Sequence, residues 1–187
     1  MRVFYTPLII ILFLSALVRA DDDPGKKARK ASKTLATDFA RNYVPVLETA
    51  KTITLAVAEA MPKEKYTYKP MEISKTFGQQ MVHIAYTITI LEETHIQGKE
   101  LAFQEPSAEG KSKEEIKNML VKAFDQLIAS AKAISSQDLK TPVNLSDARV
   151  LSKQYVYVFI HDHLTNHRAK ANLYVRMNGI EPPAYGF

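Results

Sequence analysis

Four stretches of the chain place apolar residues at steps of three and four, which is the spacing of one helix face. The first runs from about Thr34 to Met61. It contains Pro45, which either kinks the helix or lies in its first turn, because its ring clashes with the carbonyl four residues earlier. The second runs from Thr76 to about Ile96. Its residues 87–90 are β-branched and would also suit a strand, but the length of the periodic stretch favours a helix.

The third stretch has the clearest start. Ser112 and Glu115 predict a capping box, in which the hydroxyl accepts from the third backbone N–H and the carboxylate reaches back to the cap. Apolar residues then recur at helical spacing to about Ile134. Residues 135–144 are polar, contain a proline and are predicted to form a loop.

The fourth stretch extends from a predicted cap at Ser146-Asp147 to about Asn178, where Gly179 fits a C-cap. Residues 155–160 have a strand-like composition, but their position inside this long segment favours a buried helix. Four amphipathic helices with three connections predict an all-α, up-down-type four-helix bundle over residues 34–187. Nothing in the pattern predicts a sheet.

The first twenty residues predict a signal peptide. Arg2 gives a positive start, Leu8–Val18 is an apolar run broken only by one serine, and Val18-Arg19-Ala20 fits a cleavage site. We therefore expect cleavage near Ala20 and export to the periplasm or the exterior. An uncleaved N-terminal anchor is the alternative. No second apolar stretch of spanning length follows, so the mature chain is expected to have no transmembrane segment.

Residues 21–33 are rich in charge and are predicted to form a flexible N-terminal segment, with a tether to an anionic membrane as the alternative. The 187 residues contain no cysteine, which excludes disulfides, Cys-ligated metals and a Cys nucleophile. The net charge of +5 becomes 23 − 20 = +3 once Arg2 and Arg19 are removed with the signal peptide, which is too weak to argue for nucleic-acid binding, and export argues against it.

A bundle of this size often pairs through an apolar face, so a homodimer is a further hypothesis.

Five histidines carry the candidate chemistry. His163 and His167 are four residues apart on the fourth helix, so their rings share a face and could chelate one divalent metal ion. His83 lies in a largely apolar part of the second helix and is the best candidate for a third ligand. His161 points about 160° away from His163, and His95 lies at the polar end of its helix. The alternative interpretation is that these histidines are structural.

No catalytic motif accompanies the histidines. The chain has no Gly-rich phosphate loop and no G-x-S-x-G turn, and residues 164–166 lack the glutamate of a zinc protease. Glu92 and Glu93 lie about two and a half turns or more beyond His83, so neither is assigned as a general base. The catalytic residues therefore stay unknown. Arg168 either steers an anionic substrate or lies exposed on the surface.

Parts of the chain resemble the DinB-like (damage-inducible) superfamily of metal-binding four-helix bundles. The likeness rests on four passages, which are residues 61–70, residues 75–86, residues 161–183 and the terminal Pro183-Ala184-Tyr185. The resemblance implies that His83, His163 and His167 bind one divalent metal ion and leave positions for water or substrate. This chain departs from the family at Asn166, where a histidine is common, and at Ala169-Lys170, where Gly-Gln is common. These departures change the rim of the site.

Some members of this superfamily are transferases or isomerases that use small cellular thiols, whereas many have no assigned activity. Export separates the protein from a cytosolic thiol cofactor and so weakens the transferase interpretation. The function that we expect is that of an exported metal-dependent transferase or hydrolase whose small-molecule substrate is unknown. Imidazole ligands suit zinc, nickel, iron and copper alike. The alternative is a non-catalytic binding or stress-response protein of the cell envelope, in which the metal fastens the second helix to the fourth.

Overall fold

The computed structural model describes residues 24–145 and 149–185, with side chains from residue 38 onward. Its long helices are α1 (Pro24–Ala60), α2 (Phe77–Leu91), α3 (Lys113–Ala133) and α5 (Lys153–Met177), and the short α4 (Ser136–Leu139) follows α3. A 3-10 turn at Lys63–Lys65 follows α1, and a π-helical turn at Glu92–Ile96 extends α2. The strands β1 (Pro142–Asn144) and β2 (Val150–Ser152) pair in antiparallel fashion. The predicted all-α bundle is confirmed.

Local capping explains where the central helices begin. The Thr76 hydroxyl accepts a hydrogen bond from the backbone N–H of Gln79 at 3.1 Å, which satisfies a donor that has no partner inside α2. The capping box predicted at the start of α3 is present, because Ser112 accepts from the N–H of Glu115 and donates its own N–H to that carboxylate. The predicted starts of both helices are therefore confirmed to within a residue, whereas α2 ends at Leu91 and its predicted last turn is the π-helical turn Glu92–Ile96.

The helices enclose one apolar core, but neighbours in sequence are not always neighbours in space. The main contacts of α2 are with α3 and α5, while α1 packs chiefly on α3 and less extensively on α5. Each of the four long helices supplies fully buried core side chains, including Leu47, Met81, Phe124 and Tyr157. As a result, α5 lies between α2 and α1, and each of its two sides faces a different helix.

Pro45 lies inside α1 rather than in its first turn. Because proline has no backbone N–H, it cannot donate to the carbonyl of Arg41, the usual acceptor in a helix. The side chain of Pro45 instead lines a cavity between α1 and α5.

The prediction that the fourth helix begins at a cap formed by Ser146-Asp147 is wrong. Val150–Ser152 is a strand paired with Pro142–Asn144, within the predicted loop, and the helix cap is Ser152, whose hydroxyl accepts from the N–H of Tyr155. Val143 and Leu151, which are paired, both pack against the core, and this burial favours the hairpin over another helical turn. Ser146-Asp147 itself lies outside the described residues.

The first helix begins at Pro24, earlier than the predicted start at Thr34. Its backbone therefore includes most of the charged segment 21–33, and the flexibility of that segment stays a prediction. The predicted signal peptide, residues 1–20, lies outside the described residues. Within the described ranges, no helix combines the length and the apolar character that crossing a membrane requires.

Candidate metal centre

Three histidines from two helices meet on one side of the bundle. His83 projects from α2, and His163 and His167 project from successive turns of α5. One ring nitrogen from each lies within 4.8 Å of the others. The Nε2 atoms of His83 and His163 are 3.1 Å apart, and the ring centroids of His83 and His167 are 4.2 Å apart. The structure thus brings together the three residues that the sequence singled out.

In two of these rings, Nδ1 faces away from the other histidines and has a hydrogen-bond partner that determines which nitrogen carries the hydrogen. Nδ1 of His83 lies 2.9 Å from a carboxylate oxygen of Glu105, and Nδ1 of His167 lies 2.7 Å from the side-chain carbonyl oxygen of Gln80. An ionised carboxylate and an amide oxygen can only accept, so each Nδ1 carries the hydrogen. In a neutral ring with its hydrogen on Nδ1, Nε2 carries the lone pair that a metal ion can bind. Such outer hydrogen bonds hold metal-binding histidines in orientation.

Glu105 lies in the loop between α2 and α3 and connects several groups of the site. Its carboxylate accepts from Lys75 at 3.0 Å and from the Gln79 amide at 2.6 Å, in addition to His83. Burial opposes ionisation of this carboxyl, but the hydrogen bonds from these three residues outweigh it, and the pKa of Glu105 is lowered. The carboxylate is therefore an anion at neutral pH.

The two histidines of α5 are held in their neutral form. Burial, followed by the neighbouring His83 and His163, lowers the pKa of His167 to about 3. Burial and His83 also lower the pKa of His163. Both imidazoles are uncharged at neutral pH, which is the state in which histidine binds a metal ion.

The donor set fits a single divalent ion. Two nitrogens bound tetrahedrally to one zinc-sized ion at about 2.0–2.1 Å lie roughly 3.3 Å apart, and the 3.1 Å between Nε2 of His83 and Nε2 of His163 is close to this separation. Among the described residues, no fourth His, Asp or Glu joins the cluster. Three neutral nitrogens would leave a tetrahedral ion one position for water or substrate.

The remaining sequence candidates lie elsewhere. His161 packs edge-on against Tyr43 of α1 and is not part of the cluster of three histidines. His95 lies in the π-helical turn near Phe103. Arg168 is only 4% exposed and its Nη1 donates to the carbonyl of Ala50 at 3.4 Å, so the interpretation as a surface arginine is wrong. One position along a helix corresponds to about 100°, and this rotation turns Arg168 away from the cluster towards α1.

Sequence reasoning missed Glu105 and Gln80. Gln80 lies three residues before His83 on the same helix, a spacing that places two side chains on one face. Glu105 follows no periodic pattern, because it reaches the site from a loop, and no signal in the sequence identifies it. Glu93 forms an ion pair with Lys99 at 2.8 Å and is not part of the histidine cluster, so the structure gives no reason to assign it as a base.

The fold and the site together define a class of protein, a helical bundle with three histidines that could hold a metal ion between two of its helices. The chain belongs to the DinB family, whose model matches residues 35–187. The resemblance seen in four sequence passages is thus confirmed.

Solved structures that are similar to this chain include two DinB-like proteins. A DinB-like protein from Bacillus subtilis is 18% identical with a TM-score of 0.60, and the match covers 76% of this chain and 96% of that chain. A DinB-like protein from Bacillus cereus is 14% identical with a TM-score of 0.65, and the match covers 77% of this chain and 95% of that chain. At these identities the likeness shows the fold alone. No curated protein matches the sequence.

Proposed function

We propose that the protein binds one divalent metal ion through His83, His163 and His167 and uses it to act on a small molecule. The observation that carries this proposal is the arrangement of the rings. Their inner nitrogens lie within 4.8 Å of one another, while Glu105 and Gln80 hold the protons of two rings on the outer side. These two partners favour the tautomer that leaves Nε2 of His83 and of His167 able to bind a metal ion.

A metal-dependent transferase or hydrolase is the reaction class that this arrangement favours. When bound, a divalent ion lowers the pKa of a coordinated water or thiol and polarises a carbonyl oxygen. The protein's own contribution is to keep His163 and His167 neutral and to hold His83 in one orientation through Glu105. Imidazole ligands suit zinc, nickel and iron, so the ligands alone do not select the metal. Which ion is bound also depends on which ions are available to the protein.

A second candidate function is a non-catalytic protein in which the metal fastens α2 to α5. One observation favours it. Glu105, the carboxylate beside the cluster, is engaged by His83, Lys75 and Gln79 and so is not free to act as a base. A fastening role predicts a large loss of thermal stability on chelation and no turnover of small esters, amides or thiol-transfer substrates.

Elemental analysis of the purified protein tests the metal site. We expect about one equivalent of metal in the wild type and none in His163→Ala. His95→Ala is the matched control, because His95 lies on the same bundle but outside the cluster. Absence of metal from the wild type, with an unchanged melting temperature on addition of zinc or nickel, would remove the basis for both candidate functions.

We further propose that the protein is exported after cleavage near Ala20 and that its site works in the periplasm or outside the cell. The support is the positive start, the apolar run and the small residues before the cleavage point. Mass spectrometry of the protein from cell fractions is expected to find a chain that begins at Asp21 outside the cytoplasm. An intact N-terminus in the membrane fraction would instead indicate an anchor.

Pairing of two copies of the protein stays a prediction, which size-exclusion chromatography can test.

A further inference from the structure

A cavity of about 200 Å³ lies between α1 and α5, on the side of α5 that faces away from α2. Its walls are mostly apolar and include Val46 and Ile53 from α1. His161 and Arg168 from α5 also line it, whereas His163 and His167 face α2. The cavity is therefore separate from the candidate metal centre, although both use the same helix.

Arg168 brings a buried positive charge to this cavity. The residue is 4% exposed, and its one hydrogen bond to a described residue is the 3.4 Å contact with the carbonyl of Ala50. That carbonyl already accepts from the hydroxyl of Thr54 at 2.6 Å. A guanidinium has five N–H donors, so most of its hydrogen-bonding capacity is unused within the described part of the chain.

Within the described residues, the charge of Arg168 has no carboxylate partner, and the group that interacts with it electrostatically is Tyr185, which also lines the cavity. No Asp or Glu forms an ion pair with it there, and it is the sole charged side chain among those that line the cavity. A buried charge without a partner is costly, and proteins normally satisfy it with an opposite charge and hydrogen bonds. An anion in the cavity would supply both.

The shape and polarity of the cavity narrow the class of anion. One guanidinium and one imidazole can bind the two oxygens of a carboxylate, because Arg168 offers a planar pair of donors and His161 offers a ring N–H. The apolar walls would bury a hydrocarbon body. A doubly charged oxyanion such as phosphate would leave one charge uncompensated against Val46 and Ile53.

We propose that this cavity binds a small monocarboxylate, with its carboxylate on Arg168 and His161 and its apolar body against Val46 and Ile53. The site is distinct from the metal centre and does not depend on the function proposed for that centre. In this proposal, Arg168 recognises the carboxylate of the ligand.

Titration of the purified protein with hexanoate, followed by calorimetry and by backbone amide NMR shifts, tests the proposal. We expect saturable binding, with the largest shifts near Ala50, Ile53 and His161. Acetate lacks the apolar body and 1-hexanol lacks the charge, so each is expected to bind at least about tenfold more weakly. Equal binding of 1-hexanol would overturn the proposal, because the cavity would then be an apolar pocket without anion recognition.

Two pairs of variants identify the binding groups. Arg168→Gln is expected to weaken hexanoate binding at least about tenfold, whereas Arg176→Gln, an exposed arginine on the same helix, is expected to leave it unchanged. If Arg168→Gln does not fold, Val46→Glu provides the test. Val46 is 41% exposed at the cavity, so the new carboxylate can occupy Arg168 and is expected to abolish binding, while Val46→Gln retains it.

Other outcomes would also overturn the proposal. Shifts centred on His83 and Glu105, with binding lost in His163→Ala, would place the carboxylate on the metal. Binding that occurs only after removal of residues 186 and 187 would show that the segment after Tyr185 takes the place of a ligand. This deletion is included because Tyr185, which directly precedes the removed residues, lines the cavity.

Discussion

The Nε2 atoms of His83 and His163 lie 3.1 Å apart, although the two residues belong to different helices and are 80 positions apart in the chain. In the neutral tautomer that has its hydrogen on Nδ1, facing Glu105, the Nε2 of His83 is an acceptor. Without a metal, His163 can donate its Nε2 hydrogen to that acceptor. A bound metal would replace this single hydrogen bond with two coordinate bonds, which makes the α2–α5 contact sensitive to metal.

Addition of metal is therefore expected to stabilise the protein. At a zinc concentration about 100-fold above the dissociation constant, the free energy of unfolding should rise by about 2.7 kcal/mol. His83→Ala should remove this gain, because it removes the ligand that α2 provides, whereas His95→Ala should retain it. Thermal unfolding with and without zinc measures the effect. Equal stabilisation of both variants would mean that zinc binds elsewhere on the protein.

Glu105→Gln is expected to weaken metal binding about 10- to 100-fold without removing a ligand. The carboxylate orients His83 through the 2.9 Å contact with Nδ1 and increases the basicity of the ring. A glutamine has no charge and can turn its amide NH₂ group towards Nδ1. Competition with a chelator of known affinity measures the change.

The matched control for this prediction is Glu109→Gln in the same loop. Glu109 is exposed, and its side chain is not part of the histidine cluster. An equal loss of affinity in the two variants would assign the effect to the net charge of the loop rather than to the contact between Glu105 and His83.

The buried Glu92 makes a third prediction. It is 1% exposed, and its carboxylate accepts hydrogen bonds at 2.7 Å from the amides of Gln97 and Gln126. Glu92→Leu leaves both donors unsatisfied and should lower the free energy of unfolding by about 1–3 kcal/mol for each donor that stays unpaired. Glu92→Gln should cost less than about 1 kcal/mol, because the neighbouring amides can rotate to pair with it. Urea unfolding of both variants distinguishes these outcomes.

Much of the fold could be predicted because it depends on local patterns. The capping box at Ser112 and Glu115 and the helical spacing that follows are properties of a short segment, and the structure agrees with both. The pairing of His163 with His167 is also local, since a spacing of four places two side chains on one face of a helix. The position of His83 could be expected from its apolar surroundings and from the family resemblance.

The features that could not be predicted depend on contacts between distant segments. The hairpin that pairs Val143 with Leu151 is stabilised by packing on the core rather than by a long alternating pattern. Glu105 reaches His83 from a loop, and loop residues have no periodicity to indicate which way they face. The burial of Arg168 follows from the packing of α1 against α5, which the sequence of α5 alone does not specify.

The stability of the metal-free protein is expected to fall on acidification, and His167 contributes to this fall. The pKa of this histidine is about 3 in the folded protein, because of burial and the neighbouring histidines, and about 6.5 in an unfolded chain. Between these values the unfolded state binds a proton that the folded state does not. Stability from this group is therefore complete above about pH 6.5 and is lost progressively as the pH falls towards 3.

From pH 7.5 to pH 5, one such group lowers the free energy of unfolding by about 2 kcal/mol. In the presence of a chelator, His167→Gln should lose this part of the pH dependence, because glutamine does not titrate. Asn166→Ala, at the exposed neighbouring position of α5, should retain the full wild-type dependence. Urea unfolding at both pH values measures the difference. If His167→Gln and the wild type lose the same stability, His167 takes up its proton equally well in the folded protein, and its ring is not held neutral for a metal.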